Sequence, residues 1–201
     1  MSIVYIEKPS PEEVTFNLVT SLQKIGFVAS AGLVDRSLEE RKYIFNPTNN
    51  AHVESMQTIY SMYAKAEGLY VAMTRRMGRE EAVGYALVDK VALEADDTMF
   101  GDVSQTQSTH IDEFTIVPCD TVPVHEVSTC LIKQIQDYAE QEVTASVLAE
   151  NLFALYALKS QGFMHDIRTY PWIRENYFGE GTRPVLQHQL VLPVSKSLAM
   201  V

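Results

Sequence analysis

Two strand-like runs, THIDEFTIVP (109–118) and VTASVLA (143–149), are separated by one amphipathic run, VHEVSTCLIKQIQDYAEQE, and this arrangement constrains the fold more than any other feature of the chain. Within the connecting run Val127, Leu131, Ile135 and Tyr138 recur at helical spacing. A strand, a helix and a second strand in one sheet make a parallel pair, because only a crossover connection returns the chain to run in the same direction. Just upstream, LYVAMTRR and EAVGYALVDKVAL are joined by MGRE, a length that suits an antiparallel hairpin. The sheet is therefore expected to be mixed.

The remaining segments extend the same pattern. SIVYIE alternates as a first strand. In the next segment Ser10 reads as an N-cap, Pro11 as the first helical residue and Glu13 as the far half of a capping box, and Val14, Leu18 and Leu22 form an apolar face before Gly26. After the breaker NPTNN, Val53, Met56, Tyr60 and Tyr63 line one face of a second helix, a stripe that suits core packing or the wall of a pocket. ENLFALYALKSQGF reads as a helix stopped by Gly162, and the tail as two strands around a long aromatic loop. The expected order is β-α-α-β-β-β-α-β-α-β-β, an α/β (α+β) mixed sheet with helices on both faces, in one domain spanning 1–201.

Charge and cysteine usage narrow the function classes. With 26 Asp and Glu against 16 Lys and Arg, the formal charge is −10, which disfavours nucleic acid as a partner and suits a neutral or cationic substrate. Cys119 and Cys130 are too few and too close for a disulfide framework, which fits a reducing cytoplasm. No signal peptide and no membrane span is expected, since no basic segment precedes an apolar one at the N-terminus and no apolar run approaches the ~18 residues a span needs. The sequence holds no GxSxG, HExxH, GxxxxGK[ST] or GxGxxG, and no metal is expected.

Particular residues add to the element order. Phe114, Ile116 and Pro118 stand at alternate positions at the end of the third strand of the central run; Asn151, Ala154 and Gly162-Phe163 are spaced along the later helix. In this order and spacing the chain resembles the GNAT superfamily of N-acetyltransferases. The resemblance implies acetyl-CoA as co-substrate, with the pantetheine arm lying along the backbone of Ile116, Val117 and Pro118 and supported by Asn151.

The family's pyrophosphate loop is not matched. Its pattern, Arg or Gln, two residues, Gly, one residue, then Gly or Ala, falls here on Thr121, Val124 and Glu126, and the loop is two residues longer if Leu131 takes the usual apolar place. Pro123 removes a donor, and Asp120 and Glu126 bring negative charge. Two readings stand. In one, the helix starts near His125, the N–H groups of Glu126, Val127 and Ser128 meet the phosphates, and the His125 ring and the Ser128 hydroxyl assist. In the other, the loop is a capped helix start that no longer binds a nucleotide.

The resemblance also implies a base that neutralises the acceptor amine and an acid that protonates the departing thiolate. His110 and Glu113 are the candidates for the base, His110 because its ordinary pKa suits the task. Plain alternation puts His110 and Asp112 on one face with Phe114 and Ile116, and Glu113 on the other. The family's usual acid is a tyrosine where this chain has Leu158. Tyr156 is near in sequence but turned about 200° around the helix, and Tyr170, Trp172 and Tyr177 lie in the aromatic loop. The implied activity is acetyl transfer from acetyl-CoA to an amine by direct attack on the thioester. The acceptor would be a small molecule, a protein lysine or a protein N-terminus. A catalytically inactive GNAT-fold binding or regulatory partner is the alternative, a different acyl carrier a third. A homodimer through the closing strands is left open.

Overall fold

The computed structural model describes residues 3–22, 60–76, 78–93, 106–117, 120, 122–139, 142–149, 151–166, 172–174 and 185–192. Among the described residues eight strands form one sheet: β1 (Val4–Glu7), β2 (Gly68–Arg76), β3 (Arg79–Leu93), β4 (Thr106–Ile116), β5 (Val143–Leu148), β6 (Met164–His165), β7 (Trp172–Arg174) and β8 (Val185–Leu192). The order across the sheet is β1-β2-β3-β4-β5-β8-β6, with β7 also on β8. Helix α1 (Val124–Tyr138) joins β4 to β5, and α2 (Leu152–Ser160) joins β5 to β6. Residues 16–22 and 60–65 are also helical. The mixed sheet follows the expected order, with β4 and β5 parallel around α1 and the other pairs antiparallel. β7 is an added short strand inside what was expected to be loop.

The two faces of the sheet carry two cores. On one, Val127, Leu131, Ile132 and Ile135 of α1 and Ala154, Ala157 and Leu158 of α2 pack on Val83, Ala86, Ile111, Phe114, Ile116, Ala145 and Leu190. On the other, Val14, Val19, Leu22 and Tyr63 pack on Leu69, Val71, Tyr85 and Leu87. Of the expected helical stripe, Tyr63 is fully buried, Tyr60 packs against the same core, and Val53 and Met56 lie outside the described residues. Among the described residues no helix is long and apolar enough to cross a membrane.

The first helix begins later than its sequence signals suggest. The Glu13 carboxylate does bond the Ser10 N–H at 2.8 Å and hydroxyl at 2.9 Å, but residues 11–13 form a turn and the helix starts at residue 16. Thr15, not Ser10, caps it, its hydroxyl oxygen accepting the Leu18 N–H at 3.2 Å. The Ser10 box instead closes a turn that brings the chain off β1.

Two glycines bear on how α1 and α2 sit. Gly162, at φ 93°, ends α2, with its N–H on the Lys159 carbonyl at 3.0 Å and the Phe163 N–H on the Leu158 carbonyl at 3.2 Å. That pair of bonds, with Phe163 and Leu158 both buried, is a Schellman stop. Gly84 lies beneath α1: a Cβ there would sit 2.8 Å from the Thr115 carbonyl oxygen and 3.1 Å from a Val127 methyl.

Candidate active site

A bulge in β4 decides which side chains meet. Glu113 pairs with Leu87 and Ile111 with Val88, so Asp112 is the extra residue of a bulge between them. The extra residue turns the following side chains over. Ile111, Phe114 and Ile116 share the face covered by α1 and α2, while Glu113 points to the opposite face, where it meets Tyr63 and Tyr85. His110, alternating with Ile111, is on the Glu113 side. The expected placement of His110 with Phe114 and Ile116 is thus corrected: the bulge breaks the period of two, and both candidate bases share one face.

Glu113 accepts a short hydrogen bond from the Tyr63 hydroxyl and one of 3.1 Å from the Tyr85 hydroxyl. Both phenols are held well above their usual pKa, first by burial and then by the negative charges around them. They therefore stay protonated and serve as donors to the carboxylate. Sequence reasoning named Glu113 and the Tyr63 stripe separately; that one holds the other needs the sheet.

His110 lies where β4 and β5 run side by side, its ring 15% exposed. Nδ1 is 2.7 Å from the Thr144 hydroxyl, Nε2 is 3.0 Å from the Ser146 hydroxyl and 3.6 Å from Asp112 Oδ1, and Ser146 in turn bonds Gln189 at 2.8 Å. Burial lowers the His110 pKa, with Asp112 and Asp89 pulling the other way. The ring is thus held toward its neutral form, which a base requires. Thr144, Ser146 and Gln189 were not singled out from sequence; the alternation of β5, with Val143, Ala145 and Val147 in the core, is the signal that puts Thr144 and Ser146 opposite them.

Beyond Ile111 the sheet opens. β4 pairs with β5 at only three positions, Thr109 with Val143, His110 with Thr144 and Ile111 with Ala145, whereas β4 runs on to Ile116 and β5 to Leu148. The Val117 N–H bonds the Val83 carbonyl on β3 at 2.9 Å. By alternation the N–H and C=O of Ile116 and Phe114 then face away from β3, into the gap. Of the three residues expected to lie along a pantetheine, Ile116 offers its backbone, Val117 has its N–H engaged on β3, and Pro118 lies outside the described residues.

At the end of the gap stands the start of α1. Pro123 is its N-cap residue and makes no side-chain cap bond. The Glu126 and Val127 N–H groups bond the Pro123 carbonyl at 3.0 and 3.3 Å, so the first amides of the helix, those of Val124 and His125, take the place expected for Glu126, Val127 and Ser128 as outward donors. Ser128 is fully buried and its hydroxyl donates to the His125 carbonyl at 2.9 Å, which turns it inward from any ligand at the helix end. The His125 ring is exposed.

The candidate acid and the candidate pantetheine support both belong to α2. Tyr156 is 68% exposed on the outer side of α2, whereas Leu158 is buried in the core. Asn151 caps α2, its Oδ1 accepting the Ala154 N–H at 3.1 Å. Tyr170, Tyr177 and the Trp172 side chain lie outside the described residues. A cavity of about 250 Å³ opens at the other end of the sheet, lined in part by Lys8, Ser10, Val14, Tyr63, Glu67 and Leu69. Its one link to the groups above is Tyr63. Among the described residues no three His, Cys, Asp or Glu side chains gather as a metal site would need.

By sequence, no family model and no curated protein matches the chain. By structure the chain is similar to NAA60 of Arabidopsis thaliana solved with acetyl-CoA, at TM-score 0.56 and 14% identity over 96% of this chain and 99% of that one. The same enzyme solved with a bisubstrate analogue gives TM-score 0.57 at 13% identity, over 94% and 97% of the two chains. A probable acetyltransferase from Staphylococcus epidermidis gives 0.51 at 13% identity, over 96% and 100%.

The fold is that of the GNAT acetyltransferases.

In that GNAT frame the parting of β4 and β5 is the landmark around which His110, Glu113 and the start of α1 are arranged. Of the residues that carried the resemblance in sequence, Asn151 and Ala154 begin α2, and Gly162-Phe163 ends it.

Proposed function

We propose that the chain is an N-acetyltransferase that uses acetyl-CoA and an amine acceptor. The observation that carries this reading is the gap: β4 and β5 pair over three residues and then part, leaving backbone donors and acceptors of β4 facing an open edge in a GNAT fold. A pantetheine amide chain fits such an edge, because it offers the hydrogen bonds a neighbouring strand would. The Ile116 and Phe114 backbone would hold the arm, and the uncapped amides of Val124 and His125 would meet the pyrophosphate with the positive end of the α1 dipole. Glu126 opposes that anion, and the consequence is a weaker grip than a glycine loop would give.

Chemistry falls to the face shared by His110 and Glu113. The His110 ring, held neutral, removes a proton from the acceptor ammonium; Glu113, fixed by Tyr63 and Tyr85, keeps negative charge beside the incoming cation. The net charge of −10 favours a basic acceptor, such as a lysine, a protein N-terminus or a polyamine. A second copy could pair through the closing strands, where Ile173 and Leu186 are directly opposed and exposed.

The rival reading is a GNAT-fold binding partner without catalysis. It is favoured by the missing glycine loop, by Leu158 at the position of the usual tyrosine and by the inward turn of Ser128. Titration calorimetry with acetyl-CoA separates the two: saturable binding supports the enzyme, and no heat of binding at millimolar ligand sinks it.

A further inference from the structure

The polar chain that crosses from β4 to β8 fixes more than the position of His110. Gln189 Oε1 can only accept a hydrogen bond, so the Ser146 hydroxyl, 2.8 Å away, gives it its single proton. Toward His110 Nε2, at 3.0 Å, the Ser146 oxygen is then left only to accept, which places the ring proton on Nε2. A neutral imidazole carries one N–H, so Nδ1 holds the lone pair and accepts the Thr144 O–H at 2.7 Å. The tautomer is assigned from the network. The charged groups that bear on the ring are Asp112 on β4 and Asp89 on β3; its partners on β5 and β8, Thr144, Ser146 and Gln189, are uncharged.

We infer that Nδ1 of His110 is the proton-accepting nitrogen and that the Thr144 hydroxyl is the relay through which the proton reaches it, with Ser146 and Gln189 as positioning residues that hold the ring in its Nε2–H form. The purpose of the relay rests on the acetyltransferase reading; its geometry does not. In the proposed step the acceptor ammonium gives one proton to Thr144 Oγ1 as the Thr144 proton passes to Nδ1, so the hydroxyl is regenerated and the ring becomes imidazolium. The neutral amine attacks the thioester carbon, the C–S bond breaks, and the thiolate takes the second amine proton. The imidazolium then returns its proton to solvent. Pairing of Thr144 with His110, one position before the last pair of Ile111 with Ala145, puts the relay next to the mouth of the gap.

The nitrogen chemical shifts of the His110 ring, read in 15N-histidine-labelled protein at about pH 8 and assigned by their loss in His110→Asn, test the tautomer without substrate. Wild type should show Nε2–H and a bare Nδ1. Ser146→Ala and Gln189→Leu should each populate the Nδ1–H form, while Gln189→Glu, still an acceptor, should keep Nε2–H. An Nδ1–H ring in wild type, or no change in Ser146→Ala, overturns the inference; a preserved amide spectrum checks folding, and Ser146→Ala alone decides if Gln189→Leu does not fold. For the relay, thiol release from acetyl-CoA with a peptide bearing a free N-terminal amine should fall about 100-fold in kcat for Thr144→Val, with KM for acetyl-CoA unchanged. Thr144→Ser should restore most of that loss, and equal kcat in wild type and Thr144→Val overturns the relay. If acetyl-CoA does not bind at all, the function falls, and the ring nitrogens still decide the tautomer.

Discussion

Gly84 should tolerate no side chain, and the effect of adding one can be worked from its surroundings. The alanine Cβ would lie 2.8 Å from the Thr115 carbonyl oxygen, well inside the 3.4 Å at which ordinary contact begins, and 3.1 Å from Val127, which is fully buried. The oxygen belongs to β4 backbone and cannot swing away, so β4 or α1 must shift. Overpacking of this kind costs about 1–3 kcal/mol, and the reduced freedom of the unfolded alanine chain returns about 0.4–1 kcal/mol. A net loss of about 1–2 kcal/mol corresponds to a Tm lower by roughly 2–8 °C for a chain of this size. The same shift moves Ile116, whose Cα would be 3.5 Å from the new methyl, and with it the wall of the gap. Calorimetric titration with acetyl-CoA, run well below Tm so that both proteins are folded, should therefore show weaker binding in Gly84→Ala. A variant with unchanged Tm and an unchanged titration would refute the reasoning, because the clash would then have been absorbed without displacing either β4 or α1.

Three further outcomes follow from the site. Asn151→Ala should lower stability by about 1 kcal/mol, the loss of one N-cap, with acetyl-CoA affinity nearly unchanged; a large drop in affinity in a folded variant would show that Asn151 reaches the ligand after all. Tyr63→Phe should cost about 1–3 kcal/mol, since the part-buried Glu113 carboxylate loses a charge-assisted hydrogen bond, and urea unfolding of the variant measures it. For pH, the folded His110 pKa lies below the unfolded value of about 6.5. Its contribution is therefore full above that value and lost as pH falls toward the folded one. His188 is shifted the same way, again mainly by burial. Urea midpoints should drop between pH 7.5 and 5, less steeply in His110→Gln; an equal slope in the variant would remove His110 as a cause.

How much of this was legible beforehand differs by layer. Helical spacing at Val127, Leu131 and Ile135 between two apolar runs gave the crossover, and the parallel pairing of β4 with β5 follows from chain direction alone. The start of the first helix was missed because Ser10 and Glu13 form the same two bonds in an isolated turn as in a capping box; only the Thr15 hydroxyl on Leu18 shows where the helix begins. The side on which His110 stands was missed for a different reason. Alternation is a local rule, and the extra residue at Asp112 is visible only against the register of β3. The meeting of distant elements, Thr144 and Ser146 on His110, Gln189 on Ser146, and Tyr63 and Tyr85 on Glu113, is visible only once the sheet is assembled.

The ends of α2 bear on how relatives of this protein are recognised. Asn151 and Gly162-Phe163 mark out the length of one helix with its two stops, so the interval between them works as a ruler laid along the scaffold. Selection for stability alone would preserve that ruler in a descendant that had abandoned acetyl transfer altogether. The fold is therefore readable in those positions and occupation is not. A survey meant to sort working enzymes from retired ones should score the partner of the ring at 110 and the donors at the start of α1, where a change of trade would leave its mark first.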